Sequence, residues 1–387
     1  MVSVDASNSS WGNIDMHRSA VRDDLERKFE AALEAYLSRN LAAAADGCKS
    51  ILDVDHTHFD SRYLLGLCHG RAGRADVGMN LIKRAIARGP SLERYDFKRG
   101  LLTPRKVEDQ LQFREELFLR YRLFQLVDAF LISYPKCGRT WLRLLLGKYV
   151  IGPAGRGDPL EVRQLTYSNP EFSSLEVSHD DFPHWKRADS VVTNKQAYAG
   201  KKVIFLVRDP RDTLVSYYFQ YTKRGDKDLA NDAGFNGTLS DFIRHDIGAL
   251  RSLVAFYNAW ARNRDVPQDF LLVKYEDMIS DVRPILWGIV AFLEWPMRDP
   301  AFFDDVVAFG SFDNMRKIEE TNALNNVRLQ APMDRDPEGF KVRRGKVGGY
   351  IDYLQPDDIR YVDEYLQEHL DDYFSDYKRP AVPSKLE

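Results

Sequence analysis

The stretch that decides the fold is "FLISYPKCGRTWLRLLLGKYV", residues 130–150. It begins as an apolar run typical of a buried strand and ends as an amphipathic segment that predicts a helix. Strand–loop–helix junctions often bind phosphate in α/β proteins, because a helix N-terminus presents backbone N–H groups without partners. The loop is not a Walker A sequence, since its lysine precedes the glycine and the four-residue spacer is absent. The junction therefore predicts an anion site of another kind.

Strands and helices alternate from residue 127 onward. The pattern predicts buried strands at 128–133, 190–193, 202–207 and 269–275, with helices at 141–150, 211–223, 239–263 and 282–293. Such alternation predicts an α/β fold in which a central parallel sheet carries helices on both faces. Ligands of such sheets bind beyond the carboxyl ends of the strands, where the sequence has "SYPKCGRTW" and "RDPRD".

The N-terminal third has a different, helical pattern. Leu65, Gly66, Gly78, Ala85 and Pro90 fit the 34-residue tetratricopeptide repeat in part, and a weaker copy lies upstream. A plain helical bundle is the alternative. We predict a disordered tail (1–20), a small all-α, tetratricopeptide-like domain (21–95), a connecting helix or linker (96–126), the α/β domain (127–376) and a C-terminal tail (377–387). The repeats suggest a possible protein partner.

Composition excludes several classes of protein. The net charge is −3, so no global field attracts nucleic acid. No apolar run reaches the length of about 18 residues that a membrane span needs. The chain begins without the apolar core of a signal peptide, and its three cysteines are too few for a disulfide framework, so we expect a cytoplasmic protein.

Three stretches of the α/β domain suit anions. The first loop contains Lys136, Arg139 and Thr140. The second contains Arg208, which could bind one phosphate together with Ser216 on the following helix. The alternative is that Arg208, Asp209, Arg211 and Asp212 only form salt bridges with one another. The third is the glycine-rich "RRGKVGG", residues 343–349. Three such stretches in a protein without overall positive charge indicate a nucleotide that bears separated phosphates.

These residues resemble the cytosolic-type sulfotransferases, whose P-loop-like fold binds 3′-phosphoadenosine 5′-phosphosulfate (PAPS). "YPKCGRTW" is similar to their YPKSGTTW loop, and "RDPRDTLVSYY" to their 3′-phosphate motif. "YEDM" (275–278), "GSFDNM" (310–315) and "RRGKVGGY" (343–350) resemble further elements of the family. The resemblance covers about residues 128–374 and leaves the helical third outside.

The resemblance implies transfer of the sulfuryl group of PAPS to a hydroxyl or amine, with release of adenosine 3′,5′-bisphosphate (PAP) and without a metal. Lys136 would stabilise the leaving group. The 5′-phosphosulfate of PAPS would be bound by the loop residues Cys137, Gly138, Arg139 and Thr140. The 3′-phosphate would be bound by Arg208, Ser216, Arg343, Arg344 and Gly345. The adenosine would lie against Trp141, Tyr275, Ser311, Phe312 and Met315.

The sequence departs from the family at several positions. Cys137 and Arg139 replace the usual serine and threonine, and a redox role for Cys137 is one interpretation. The stretch that corresponds to the family's "K-T-H" base stretch is "VVTNKQ", which lacks histidine. We therefore expect His179, oriented by Asp180 and Asp181, to be the general base, with Lys195 or His184 as alternatives. The family's dimer signature has no clear match, so the oligomeric state stays open.

Two other functions remain as alternatives. A non-catalytic scaffold would bind nucleotide in the α/β half and a peptide on the repeats. A P-loop-like kinase would need GxxxxGK[ST] and a carboxylate for Mg²⁺, and the first is absent. The acceptor itself, a small molecule or a carbohydrate, cannot be deduced from the residues between the motifs.

Overall fold

The computed structural model describes residues 9–89, 107–224, 235 and 237–379, with backbone alone for residues 9–21 and a few positions of 107–126. The chain separates into two compact units, which meet in sequence between Leu126 and Val127. The first part of the expected linker (96–106), the closing Pro90 and the last eight residues lie outside the described residues. No helix of the described part is long and apolar enough to cross a membrane.

The first unit consists of helices. They are α1 (Ser9–Leu37), α2 (Leu41–Val54), α3 (Phe59–Arg71), α4 (Ala75–Ile86) and α5 (Val107–Leu126). The starts of α2 and α4 are 34 residues apart, as the repeat pattern predicts. Helix α1 begins at Ser9, so residues 9–20, expected in a disordered tail, are helical; they contain no proline, and a formed helix extends cooperatively.

Small residues allow the helices of this unit to pack closely. A Cβ atom on Gly66 would lie 2.8 Å from the carbonyl oxygen of Gly78, and one on Gly78 would lie 2.5 Å from that of Gly66. Helix α5 contributes Leu117 and Phe118 to the same core, where Phe118 stacks on Tyr63 with ring centroids 4.7 Å apart. The segment expected as a connecting helix is therefore part of the helical unit.

The second unit contains a four-stranded parallel sheet. Its strands are β1 (Ala129–Ser133), β2 (Leu175–Ser178), β3 (Lys202–Val207) and β4 (Asp269–Lys274), in the order β2-β1-β3-β4. Every residue of β1 is buried, so both faces of the sheet are covered, as the near-continuous apolar pattern predicts.

The helices of this unit surround the sheet. They are α6 (Arg139–Ile151), α7 (Val162–Tyr167), α8 (Pro210–Lys223), α9 (Leu239–Arg244), α10 (Leu250–Arg262), α11 (Tyr275–Ser280), α12 (Val282–Phe292), α13 (Pro300–Phe309), α14 (Phe312–Thr321), α15 (Pro356–His369) and α16 (Ser375–Lys378). Helices α6 and α8 start beside the carboxyl ends of β1 and β3. The expected α/β fold with a central parallel sheet is confirmed.

One predicted strand is wrong. Residues 190–193 form no strand, and the place beside β1 is taken by β2. Hydrogen bonds fix this choice: the Asp128 carboxylate accepts from the N–H and hydroxyl of Ser174, and the Thr166 hydroxyl accepts from the N–H of Leu175. The run 175–178 alternates buried and half-buried residues and includes Glu176, a weaker apolar signal than that of 190–193, and these hydrogen bonds hold it beside β1.

The helix predicted over 239–263 is broken into α9 and α10. Gly248 lies between them with φ +66°, a conformation that favours glycine. A Cβ atom there would lie 2.1 Å from the carbonyl oxygen of His184, so the break also lets the His184 segment approach.

Candidate active site

A cavity of about 310 Å³ opens at the carboxyl edge of the sheet. This volume is at the lower end of the range typical of small-molecule sites. Most of the predicted site residues line it: Lys136, Gly138, Arg139, Thr140, Trp141, His179, Arg208, Ser216, Tyr275, Phe312, Met315, Arg343 and Gly345. Arg344 lines a smaller pocket that shares Arg208, Ser216, Arg343 and Gly345 with the cavity. The structure therefore brings together loops that are more than two hundred residues apart in sequence.

The loop between β1 and α6 has the conformation of an anion site. Lys136 (φ +73°) and Gly138 (φ +94°) both lie in the left-handed region. This conformation is costly for a lysine and recurs at functional sites. At Gly138 a Cβ atom would lie 2.6 Å from the Tyr275 ring, so only glycine fits. No described side chain caps the N-terminus of α6, which leaves its N–H groups available to a ligand.

The start of α8 is different, because the chain caps it itself. The Asp209 side chain accepts a hydrogen bond from the N–H of Arg211, and Pro210 occupies the first turn. Arg211 is buried and pairs with Asp209 and Asp363. Arg208 instead turns toward the cavity, and its guanidinium lies 4.4 Å from the centre of the Tyr275 ring. The Nη2 of Arg208 also lies 3.5 Å from the Asp212 carboxylate, so both arginines take part in the expected salt bridges, and of the two it is Arg208 that lines the cavity.

Arg208 joins the loops after β1 and β3. Its Nη1 donates to the carbonyl oxygen of Lys136 at 3.3 Å, and its Nη2 to that of Lys346 at 3.4 Å. The Tyr257 hydroxyl donates to its carbonyl oxygen and accepts from its N–H, at 2.9 and 3.0 Å. Its Nε is buried and has no hydrogen-bond partner among the described residues. A buried donor without a partner is costly and suits a ligand oxygen.

The glycine-rich segment 343–349 carries three further cations near the cavity, Arg343, Arg344 and Lys346. Arg343 lies 4.8 Å above the Phe219 ring and donates to the Glu338 carboxylate at 2.7 Å. Arg344 and Lys346 pair with Asp352 at 2.7 and 3.2 Å. Gly345 has φ +60°, and a Cβ atom there would lie 2.8 Å from Phe312. Glycine at this point therefore lets the segment close over Phe312.

Lys136 lies where positive charge is concentrated. Burial lowers its pKa well below the ordinary lysine value, and Lys341 and Arg224 add to this by repulsion. Its Nζ donates to the amide oxygen of Gln220 at 3.1 Å. A bound anion would offset this repulsion and favour the charged form of Lys136.

Two predicted binding residues, Cys137 and Ser311, line neither the cavity nor the smaller pocket. Ser311 is exposed, and its hydroxyl caps α14 by accepting from the N–H of Asn314. Cys137 is fully buried, with its Sγ 3.5 Å from the Tyr257 hydroxyl, and burial raises its pKa to about 11. A thiol with a raised pKa and no exposure reacts poorly, so the redox interpretation of Cys137 is wrong.

His179 faces the cavity in a defined tautomer. Its Nδ1 lies 2.7 Å from the carbonyl oxygen of Ser133, which requires Nδ1 to carry the proton. Its Nε2 lies 2.5 Å from Nη2 of Arg139 and accepts from it. Burial, followed by the charge of Arg139, lowers the pKa of His179 well below the ordinary value. The imidazole is therefore neutral, with its lone pair directed at the Arg139 guanidinium.

The structure gives other partners to Asp180 and Asp181, which were expected to orient His179, and to Lys195, the alternative base. Lys195 is 1% exposed, and its Nζ pairs with the Asp180 carboxylate at 2.5 Å, outside the cavity lining. Asp181 accepts from the N–H of Val192 at 2.8 Å and also pairs with Lys186. Neither aspartate orients His179, whose partner is the Ser133 carbonyl. The stretch "VVTNKQ" forms no strand and lies outside the cavity lining, whereas His179 follows the strand beside β1 and lines the cavity.

Sequence reasoning missed several residues of the cavity. Gln220 follows Ser216 by one helical turn on α8, so helical spacing from Ser216 was a usable signal. His184, kept only as an alternative, is buried beside His179 with ring centroids 4.9 Å apart, and burial lowers its pKa to about 3. The other missed residues are Pro135, Tyr217, Ile279, Gly310, Leu329, Lys341 and Val342.

Comparisons with known proteins identify the family of this chain. The family model described as "Sulfotransferase domain" matches residues 126–374. Among curated relatives, an amine sulfotransferase of Oryctolagus cuniculus is 27% identical over 263 residues, covering 64% of this chain and 81% of the relative. Cytosolic sulfotransferase 17 of Arabidopsis thaliana is 25% identical over 265 residues, covering 62% and 73%. A solved mouse sulfotransferase, SULT7A1 complexed with PAP, is 23% identical, covers 65% of this chain and 88% of its own, and has a TM-score of 0.45.

Proposed function

This chain belongs to the sulfotransferase family, and from that premise we propose how its own residues carry out PAPS-dependent sulfuryl transfer to a hydroxyl or amine. When bound, PAPS supplies an activated sulfuryl group whose departure leaves PAP. The observation that carries the proposal is the Arg208 hydrogen bond to the Lys136 carbonyl, which unites the two anion-suited loops in one cavity.

The cavity fits a nucleotide with separated phosphates. Lys136, the α6 N-terminus and Thr140 form one cationic end, and Arg208, Arg343 and Arg344 form another. The partnerless Nε of Arg208 is a donor that a phosphate oxygen satisfies. The Trp141 Nε1 is also buried without a partner among the described residues, and Trp141 packs edge-on to Tyr275 beside Phe312 and Met315. These rings provide an apolar place for the adenine.

Lys136 acts on the leaving group. As the sulfur–oxygen bond to the 5′-phosphate breaks, its electron pair moves to the phosphate oxygen, and a cation there stabilises the growing charge. Gln220 keeps the ammonium group in place before the donor binds. Repulsion from Lys341 and Arg224, which adds to burial in lowering the Lys136 pKa, favours binding of an anion.

His179 accepts the proton of the acceptor. With Nδ1–H held by the Ser133 carbonyl, only Nε2 can take a proton. The acceptor oxygen or nitrogen forms its bond to sulfur as its proton passes to Nε2. We propose a small-molecule or carbohydrate acceptor, on the other side of the β1 loop from the Arg208 cluster.

A direct test uses sulfur-labelled PAPS with a panel of phenols, alcohols, amines and sugars. We expect labelled product with the wild type and with Lys317→Ala, an exposed lysine outside the cavity. Lys136→Ala should lower kcat by about a hundredfold or more. PAP binding without transfer to any acceptor would favour the non-catalytic scaffold, and magnesium-dependent transfer from ATP would favour a kinase.

A further inference from the structure

The binding of PAPS proposed above assigns no role to the cation of Arg139. Arg139 replaces the threonine usual in the resembling loop, and its guanidinium lines the cavity. Among the described residues, no carboxylate lies within 4.0 Å of it, and its one hydrogen bond in that part of the chain is to His179. A partly buried guanidinium without a counter-ion calls for an anionic ligand.

The strand order separates Arg139 from the cations proposed for the 3′-phosphate. In the sheet order β2-β1-β3-β4, His179 follows β2 and Arg208 follows β3, so the β1 loop lies between them. The Arg139 side chain turns to the β2 side, where its Nη2 meets His179 Nε2. It therefore lies where the acceptor meets its base.

Neighbouring residues increase the positive potential at this point. Arg143, one turn later on α6, has a buried Nε without a partner among the described residues. Burial, with repulsion between the two guanidinium groups, lowers the pKa of Arg139 to about 9. The nearby carboxylates are already engaged, since Glu161 pairs with Arg328 and Glu176 with Arg163.

We propose that the acceptor carries an oxyanion, a carboxylate, phosphate or sulfate, beside its reacting hydroxyl or amine, and that Arg139 binds this group. The inference rests on the proposed function, with His179 as the base. Because Arg139 Nη2 lies 2.5 Å from His179 Nε2, the oxyanion lies close to the nucleophile. By pairing with the guanidinium, the oxyanion draws it from the imidazole and frees Nε2 to accept the proton.

A matched pair of acceptors tests the inference. We would compare 3-hydroxybenzoate with its neutral methyl ester as acceptors, and measure the binding of both to the enzyme–PAP complex by calorimetry. For the wild type we expect kcat/KM, and affinity for the PAP complex, to be higher for the acid by about tenfold or more, the contribution of a charge-assisted hydrogen bond.

Variants identify the residue responsible. Arg139→Thr should lower the ratio of kcat/KM for the acid to kcat/KM for the ester to about one, and Arg139→Lys should retain part of the preference for the acid. Arg262→Thr, a matched substitution at an arginine whose side chain is 70% exposed, should behave as the wild type.

Several results would overturn the inference. One is equal kcat/KM for acid and ester in the wild type, and another is no binding of the acid to the PAP complex. A third is an equal loss of kcat/KM for both acceptors in Arg139→Thr, which would assign Arg139 to the transferred sulfuryl. Calorimetry of PAP alone tests the proposed function separately. Tight PAP binding without acid preference would contradict only the oxyanion inference, whereas absence of PAP binding would contradict the proposed function.

Discussion

The carboxylate of Asp212 accepts hydrogen bonds from the N–H groups of Tyr350 and Gly348, each at 2.9 Å. Asp212 lies on α8, in the first turn after Arg208, and is 3% exposed. The contact therefore ties the glycine-rich segment to the helix that follows the second anion loop. Its position explains how a segment near the carboxyl end of the chain is held over the Arg208 side chain.

Replacing Asp212 should detach this segment. Asp212→Asn keeps one acceptor and loses the charge, so one of the two N–H groups loses its partner and the ion pair with Arg208 is lost. We expect PAP to bind about tenfold more weakly and the free energy of unfolding to fall by about 1–3 kcal/mol. Isothermal titration with PAP and urea denaturation measure the two effects. Asp313→Asn, at an exposed position of α14, is the control, and unchanged PAP affinity in Asp212→Asn would contradict the anchoring role.

Removing the imidazole of His179 should affect turnover rather than donor binding. Loss of a general base typically lowers the rate by about a hundredfold or more. We expect His179→Ala to lower kcat to that extent while the dissociation constant of PAP stays within about threefold. Steady-state kinetics and calorimetry on the same preparation separate the effects. Turnover equal to that of the wild type would rule out His179 as the base.

The buried histidine His184 should make stability depend on pH. Burial lowers its pKa to about 3, so as the pH falls the imidazole binds a proton in the unfolded chain before it does so in the folded chain. The folded state therefore loses stability as pH falls below about 6.5, by up to about 1.4 kcal/mol per pH unit for this group. Urea denaturation between about pH 7 and about pH 5 should show a smaller decrease for His184→Phe than for the wild type. Identical slopes would contradict the assignment.

Lys195 should matter for stability and not for chemistry. Its ammonium group is buried and paired with Asp180, whose second oxygen accepts from the Tyr198 hydroxyl at 2.6 Å. Lys195→Met leaves this carboxylate buried without its cation, which typically costs about 3–5 kcal/mol. We expect a large fall in the free energy of unfolding, with kcat of the folded fraction unchanged. A variant of normal stability but reduced kcat would restore Lys195 as a catalytic residue.

The core of the site was predictable because its signals are local. The β1 loop, Arg208 with Ser216, and the glycine-rich segment each have a spacing that restricts their chemistry, and all three reach one cavity. The base region was less predictable, since the run at 190–193 is the more apolar, whereas the alternating run at 175–178 forms the strand. Hydrogen bonds accepted by Asp128 and Thr166 hold that strand beside β1, and no spacing in the sequence contains that information.

By itself, the sequence determined the parallel α/β architecture, the helical first unit and the anion-binding loops, because periodicity and loop composition act over a few neighbouring residues. Only the tertiary structure decided which charged groups remain available to a ligand. It pairs Lys195 with Asp180 and buries Cys137, while it leaves Arg139 facing His179 in the cavity. The physical reason is that burial and ion pairing depend on residues far apart in the chain, which the fold alone brings into contact.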